Sequence, residues 1–405
     1  MSPVSFRPLR SRNFALLWSA ALVSNVGSWM QVVALSILVT ARTHDALWTG
    51  LVAAAAFLPN GLLAPFGGAL ADRLDRRRWL LITTLAEMAC AALLAALSAV
   101  GDAPPVVAVA VAFLGGSAAA IGLPAYQAML PDLVDDRRDL LAAVSLSSAQ
   151  YNLGRVIGPA LAGIVLALGS YSLAFACNAV SFAAVVVALL LVRLPAVLPA
   201  TEPIRVLHRI AEGARLAFGE PGCRAAIVLI GLVALLASPF IALVPAMAIQ
   251  VLHRGSTGTA VLVTAQGVGA VAGALLLPGL ALRFGRHRQV VASLLALPVL
   301  LVLYSVAPGL WLSAVALLLV GLAYIGVLSG LNTVVQLRAP TEARGRVLSL
   351  FMLSLGTVYP VGAVLQGAIG AHVGVRQITV AGAGLLLAVL VVVALRRPAA
   401  LRALG

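Results

Sequence analysis

Residues 68–78 read Gly-Ala-Leu-Ala-Asp-Arg-Leu-Asp-Arg-Arg-Arg and stand between one apolar run at 47–71 and another at 79–100. A helix needs about 20 apolar residues to cross the hydrocarbon core of a bilayer, and both runs supply them. So short and basic a loop between two such runs has the form of the cytoplasmic turn of a membrane hairpin. Reading outward, further apolar runs occupy 14–39, 106–130, 140–167 and 172–193, then 223–251, 257–282, 289–306, 310–337, 346–371 and 375–395. Only helices and closed barrels satisfy every backbone polar group in lipid, and these runs lack the two-residue alternation of barrel strands. The expected fold is therefore all-α and integral to the membrane, with twelve transmembrane helices.

Composition points the same way. Of 405 residues 62% are hydrophobic and only 10% charged, with a mean hydropathy of +1.08. A soluble domain carries about 25% charged residues, so this chain has too little polar surface for a water-facing particle. An ordinary soluble enzyme is excluded. Cys90, Cys177 and Cys223 lie in or beside apolar runs without CxxC spacing, and read as small core residues rather than a disulfide or metal framework.

The formal charge of +14 comes from 27 arginines, without a lysine, against 13 acidic residues. Alternating the loops between two sides puts on one of them Arg7, Arg10 and Arg12, Arg73 and Arg76 to Arg78, Arg137 and Arg138, and the five arginines from Arg193 to Arg224. The same side takes Arg283, Arg286 and Arg288, Arg338, Arg344 and Arg346, and Arg396, Arg397 and Arg402. The other side keeps Arg42, Arg254 and Arg376, while Arg155 falls inside a run. Arginine marks cytoplasmic loops, so both termini are expected in the cytoplasm, in a bacterial inner membrane. The same partition accounts for the basic balance without a nucleic-acid partner.

Between the sixth and seventh runs lies the longest polar interval, 194–222. Leu207, Ile210, Ala214 and Phe218 recur there at helical spacing with Arg205, Arg209, Glu212 and Arg215 interleaved, the pattern of an amphipathic helix on the membrane surface. It divides the chain into a six-helix bundle at 1–193, a cytoplasmic linker at 194–222 and a second six-helix bundle at 223–405. The halves echo one another. The loop at 68–76 has a degenerate counterpart, Pro-Gly-Leu-Ala-Leu-Arg-Phe-Gly-Arg, at 278–286, and Asp135, Asp136 and Arg138 correspond to Thr341, Glu342 and Arg344. Repeated halves with a substrate site at their interface are a transporter architecture.

On these residues the chain resembles the major facilitator superfamily along its whole length. The stretch from Gly68 through Asp72 and Arg73 to Arg76 matches that family's signature loop after span two, with Asp75 where the family usually has glycine, a variant associated with its drug and siderophore efflux branches. The resemblance implies a conformational clamp, in which Arg73 or Arg76 binds Asp132 and a carboxylate at the end of span two caps a neighbouring helix near Arg346 and Val347. Gly154, Gly158, Pro159 and Gly163 in span five resemble the Gly-Pro pattern of antiporters in this superfamily, which implies export by exchange. Small residues four apart also let two helices approach closely, and a proline bends the helix. The opening from Phe6 to Trp29 is similar to that of the enterobactin exporter and macrolide efflux branch.

Two charges stay inside apolar runs, Glu87 in span three and Arg155 in span five, each costing about 2.5–3.5 kcal/mol if turned to lipid. A carboxyl within a span can carry a proton, so Glu87 and Arg155 are the coupling candidates, with protons as the coupling ion. The arginine that many antiporters of this family carry in span four has no counterpart between Val106 and Leu130. The resemblance makes spans one, four, seven and ten line a central cavity, with two, five, eight and eleven as gates. The polar and aromatic residues on them are Asn25, Trp29, Gln31, Phe57, Asn60, Tyr126, Gln150, Asn152, Phe240, Gln266, Tyr324, Asn332, Met352, Tyr359 and Gln366. Such groups among apolar walls suit an amphiphilic small molecule. Trp18, Trp48, Trp79 and Trp311 near run ends read as interfacial anchors.

The expected function is secondary active export of a drug, siderophore or other amphiphilic metabolite, by a monomer needing no cofactor or metal. Uptake of a small solute by the same fold is the alternative. A polytopic membrane enzyme is disfavoured because the five histidines are scattered without metal spacing, and ATP drive because no phosphate-binding loop is present.

Overall fold

The computed structural model describes residues 6–71, 73–101, 104–168, 170–192, 206–340, 343–396 and 398–404. Among these residues there is no strand. Helices α1 (Arg12–Thr43), α2 (Ala46–Ala71), α3 (Arg76–Ala99), α4 (Pro105–Leu133), α5 (Leu140–Ala167) and α6 (Tyr171–Leu191) precede a short amphipathic helix, α7 (Val206–Gly219). After it come α8 (Pro221–Leu236), α9 (Phe240–Ala246), α10 (Gly255–Phe284), α11 (Arg286–Val306), α12 (Leu310–Arg338), α13 (Arg344–Val373), α14 (Val375–Arg396) and α15 (Pro398–Arg402). Taking α8 and α9 as one interrupted span, this is the twelve-span all-helical membrane architecture expected from the sequence.

Eleven of these spans are long and apolar enough to cross a membrane by those criteria alone. The remaining one, α5, is long enough at 28 residues, but Ser145, Ser148, Gln150, Asn152 and Arg155 interrupt its apolar character.

By contact density the chain divides into two compact units, Met1–Leu38 with Leu62–Ile204, and Val39–Gly61 with Arg205–Gly405. In the first, α3 buries Leu80, Thr83, Thr84, Ala91, Leu94 and Ala95 along one stripe and leaves Ile82, Leu85 and Leu93 exposed, as a lipid-facing surface requires. Gly122 of α4 has no Cβ because Thr83 fills that space. Asp75 caps α3 by accepting from the Arg78 N–H at 2.7 Å. Arg77 then reaches the last carbonyls of α6, donating to Leu189 and, at 2.9 Å, to Leu190, so one loop arginine closes a helix C-terminus. Trp18 and Trp79, besides their position near helix ends, donate their indole N–H groups to the Leu146 and Ile121 carbonyls at 3.0 and 3.1 Å.

The second unit is held by glycine crossings. Gly50 and Gly61 on α2 abut Ala363 and Gly356 on α13, and Gly367 on α13 abuts Ala46, so a Cβ at Gly61 would stand 2.8 Å from the Gly356 carbonyl carbon. Gly269 and Gly321 bring α10 and α12 together in the same way. Without a hydrophobic drive between helices in lipid, such close backbone contact is what associates them. On the polar side of this unit α7 meets the start of α13, where Glu212 pairs with Arg346 and Gly213 fits against the Arg346 backbone. The linker before Val206 and its side chains as far as Ile210 lie outside the described residues.

Candidate functional site: the α1/α5 face and the interrupted span

In the first unit α5 crosses α1 at two glycines. A Cβ on Gly154 would lie 2.9 Å from Asn25 Cβ, and one on Gly158 would lie 2.6 Å from Trp29 Cβ and 2.8 Å from the Val26 oxygen. The small residues singled out in span five therefore set the depth at which α1 sits. Pro159 is buried inside α5 and has no N–H to give to the Arg155 carbonyl, which loosens the helix one turn before it. Gly163 is half-buried.

The contact places Trp29, Tyr151 and Arg155 together. The Arg155 guanidinium stands 5.8 Å from the Trp29 ring centroid, and Tyr151 meets the same ring edge-on at 5.9 Å and 71°. Both are favourable geometries for an aromatic quadrupole. Neither Arg155 nor Glu87 belongs to an ion pair among the described residues. Glu87 is half-buried on α3, in register with the buried stripe of Thr83 and Ala91. One turn away from Trp29, Asn25 is half-buried on the same face of α1.

Other polar groups in this unit are engaged. Tyr126 donates to the buried Gln150 Oε1 at 3.3 Å and lies 3.5 Å from Ser147 Oγ. Gln31 accepts from Asn178 Nδ2 at 2.9 Å, while Asn152 donates to the Ser148 carbonyl in its own helix. In the signature loop Arg76 Nη1 stands 3.4 Å from Asp132 Oδ2 and donates to the Ala128 carbonyl at 3.1 Å. Arg73 is exposed, and Asp72 lies outside the described residues. Open space surrounds the Cβ position of Gly68, whereas its neighbour Gly67, which the motif does not single out, abuts the Ile121 backbone.

In the second unit the run read as one span is interrupted. Pro239 has no N–H for the Leu235 carbonyl, and the Phe240 N–H turns to Ala237 at 3.1 Å instead of to Leu236. Gln366 of α13 supplies both missing donors, its Nε2 standing 3.0 Å from each carbonyl. Ser238 at the break lies 3.0 Å from the Tyr324 hydroxyl, and Phe240 packs edge-on against Tyr324 at 5.8 Å. Phe57 and Tyr359 form another edge-on pair at 5.7 Å. Gln266 is buried with its Nε2 lacking a partner among the described residues, Asn332 accepts from Gln336, Asn60 donates weakly to the Ala56 carbonyl, and Met352 is exposed. Sequence reading did not find Tyr151, Asn178 or Ser238. Tyr151 and Asn178 each meet an α1 residue through a fold contact, a pairing that helical period alone does not carry.

Comparison with known proteins assigns the fold to a family. The enterobactin exporter EntS of Escherichia coli O1:K1 / APEC is 30% identical over 403 residues, covering 95% of this chain and 92% of that protein. The multidrug efflux pump Tap of Mycolicibacterium fortuitum is 28% identical over 374 residues, 89% of this chain and 90% of Tap. A solved bacterial homologue of the human lysosomal transporter Spinster superposes with a TM-score of 0.75 over 99% of this chain and 98% of its own, at 14% identity, and so shares the fold. These proteins are transporters and not enzymes. With residues 3–403 matching the family described as transmembrane secretion effector, the chain belongs to that family of multi-pass transporters within the major facilitator superfamily.

Proposed function

We propose that this transporter exports an amphiphilic small molecule from the cytoplasm by alternating access, in exchange for protons. The observation that carries the reading is the α1/α5 crossing. The glycines of the antiporter-like pattern, Gly154 and Gly158, are the points at which α5 meets Asn25 and Trp29, so the exchange signature and an aromatic, polar face share one contact. The efflux roles in the names of EntS and Tap support the same direction. Arginine-rich loops support an inner membrane with both termini in the cytoplasm, and a single chain suffices for the mechanism. Of the two charges within spans, Glu87 is the proton carrier in this reading, because a carboxyl inside the membrane without an ion-pair partner among the described residues is free to change its charge.

Everted membrane vesicles energised by an imposed pH gradient test the proposal. Antibiotics, dyes and siderophores are screened for accumulation that collapses when the gradient is dissipated. Accumulation is expected in everted vesicles and not in right-side-out ones, and the opposite pattern overturns export in favour of uptake. Glu87→Gln is expected to abolish proton release on adding substrate. Should that variant exchange protons at the wild-type rate, Glu87 is not the carrier.

A further inference from the structure

The exposed surface of α5 has two faces of opposite character. Leu153, Ile157, Leu161 and Ile164 follow one another at helical spacing and are exposed, which is a face for lipid. Ser145 and Ser148, both exposed, and Asn152 and Arg155, both half-buried, form a second stripe at i, i+3, i+7 and i+10, on the other side of the helix and bordered by Tyr151, which is 48% exposed. A stripe of this composition inside a span belongs on a water-filled path. The two serines and Asn152 satisfy themselves on carbonyls of their own helix, at 2.8 to 3.1 Å. Arg155 does not. A guanidinium offers five N–H donors, and this one stands by the Trp29 ring with no carboxylate or carbonyl among the described residues taking them.

We propose that this face is a subsite for the acidic group of an aromatic solute. Arg155 takes a carboxylate or a similar oxyanion in a forked pair, and Tyr151 and Trp29 hold the apolar body beside it. The chemistry follows from what is present. A fixed cation within the membrane whose donors meet no acceptor among the described residues is complemented by a bidentate anion, and the rings at its side select a flat apolar neighbour. A cationic solute is repelled at the same place. The assignment rests on the export reading and narrows its substrates to organic anions with an aromatic part.

The test uses the full chain in phosphatidylcholine nanodiscs, with 1-naphthoate and its isosteric neutral partner 1-naphthamide as probes and tryptophan quenching as the readout. Wild type is expected to bind the carboxylate about tenfold or more tightly than the amide. Arg155→Gln should erase that difference by weakening the carboxylate alone, while Arg155→Lys keeps part of it and Trp29→Leu weakens both probes. Equal affinities in wild type, which require no variant to fold, overturn the subsite, as does a preference that survives in Arg155→Gln. Loss of carboxylate binding on replacing the lipid with phosphatidylglycerol assigns the position to a lipid headgroup and overturns the solute assignment. Parallel everted vesicles keep the two readings apart. Export of neutral solutes without carboxylate preference sinks the subsite alone, whereas carboxylate preference in a protein that exports nothing sinks the export reading alone.

Discussion

Arg155 and Gln366 are polar side chains inside membrane helices, each one turn or less from a proline-disturbed stretch, and the protein uses them in opposite ways. Around Gln366 everything is closed. The break at Pro239 frees two carbonyls, one amide nitrogen meets both at 3.0 Å, and Gly362 and Gly382 let α13 and α14 come close enough for it to do so. Around Arg155 the packing is just as tight, with Gly154 and Gly158 against α1, yet the guanidinium stands by the Trp29 ring and has no hydrogen-bond acceptor among the described residues. A polar residue that repairs backbone damage is structural. One whose donors stay open within a span is kept for something that arrives.

The largest effect expected concerns the packing that both regions share. Gly158→Val would drive a branched side chain into the Trp29 Cβ and Val26 backbone, neither of which is a flexible end, and overpacking of that kind costs about 1–3 kcal/mol or more. The melting temperature in detergent should fall sharply and transport should be lost. A variant with wild-type melting would show that α1 and α5 separate more easily than this contact implies.

Next in size is the difference between the two polar residues themselves. Gln366→Leu keeps volume but leaves the Leu235 and Leu236 carbonyls without donors, at about 1–3 kcal/mol for an unsatisfied buried group. Arg155→Gln removes no hydrogen bond among the described residues and relieves a charge within a span, so its melting temperature should equal or exceed that of wild type. Paired thermal unfolding of the two variants decides the matter. Equal destabilisation by both would erase the contrast between a repairing and an open side chain.

The sequence carried the fold because a bilayer imposes a length and a polarity on every span, and both can be counted along the chain. It carried the α1/α5 contact in part, because Gly154, Gly158 and Pro159 form a local pattern. It did not carry the pairings of Gly50 with Ala363 or Gly61 with Gly356, since in a chain with 37 glycines nothing local separates a packed glycine from a free one. Nor did it show the interruption of the 223–251 run. Ser238 and Pro239 are compatible with a bent but continuous helix, and the donor that satisfies the opened carbonyls of this one comes from α13, four helices beyond α9 along the chain.

A smaller effect is expected at the signature loop. Arg76 and Asp132 are about a quarter exposed, at 25% and 27%, and 3.4 Å apart, so the pair is screened by water. A double-mutant cycle with Arg76→Ala and Asp132→Asn, followed by thermal unfolding, should return a coupling of about 0.2–1 kcal/mol. A markedly larger coupling would place this loop with the closed, repairing class of contacts represented by Gln366.

The smallest effect on stability is expected at Gly68. Gly67 is the residue that packs, abutting the Ile121 backbone, while the Cβ position of Gly68 meets nothing within 4 Å. In this arrangement of the helices an alanine at 68 therefore fits, and helix propensity even favours it by about 1 kcal/mol at most. If the signature requires glycine at this position for packing in the state described, Gly68→Ala must lower the melting temperature, and the open space says that it will not. If the requirement belongs instead to a second arrangement visited during transport, the same variant melts like wild type and exports more slowly in everted vesicles. A wild-type transport rate together with wild-type melting would leave Gly68 without a role in either arrangement. Slowed export with unchanged melting would put Gly68 beside Arg155 among residues whose purpose is not read from the contacts they make at rest.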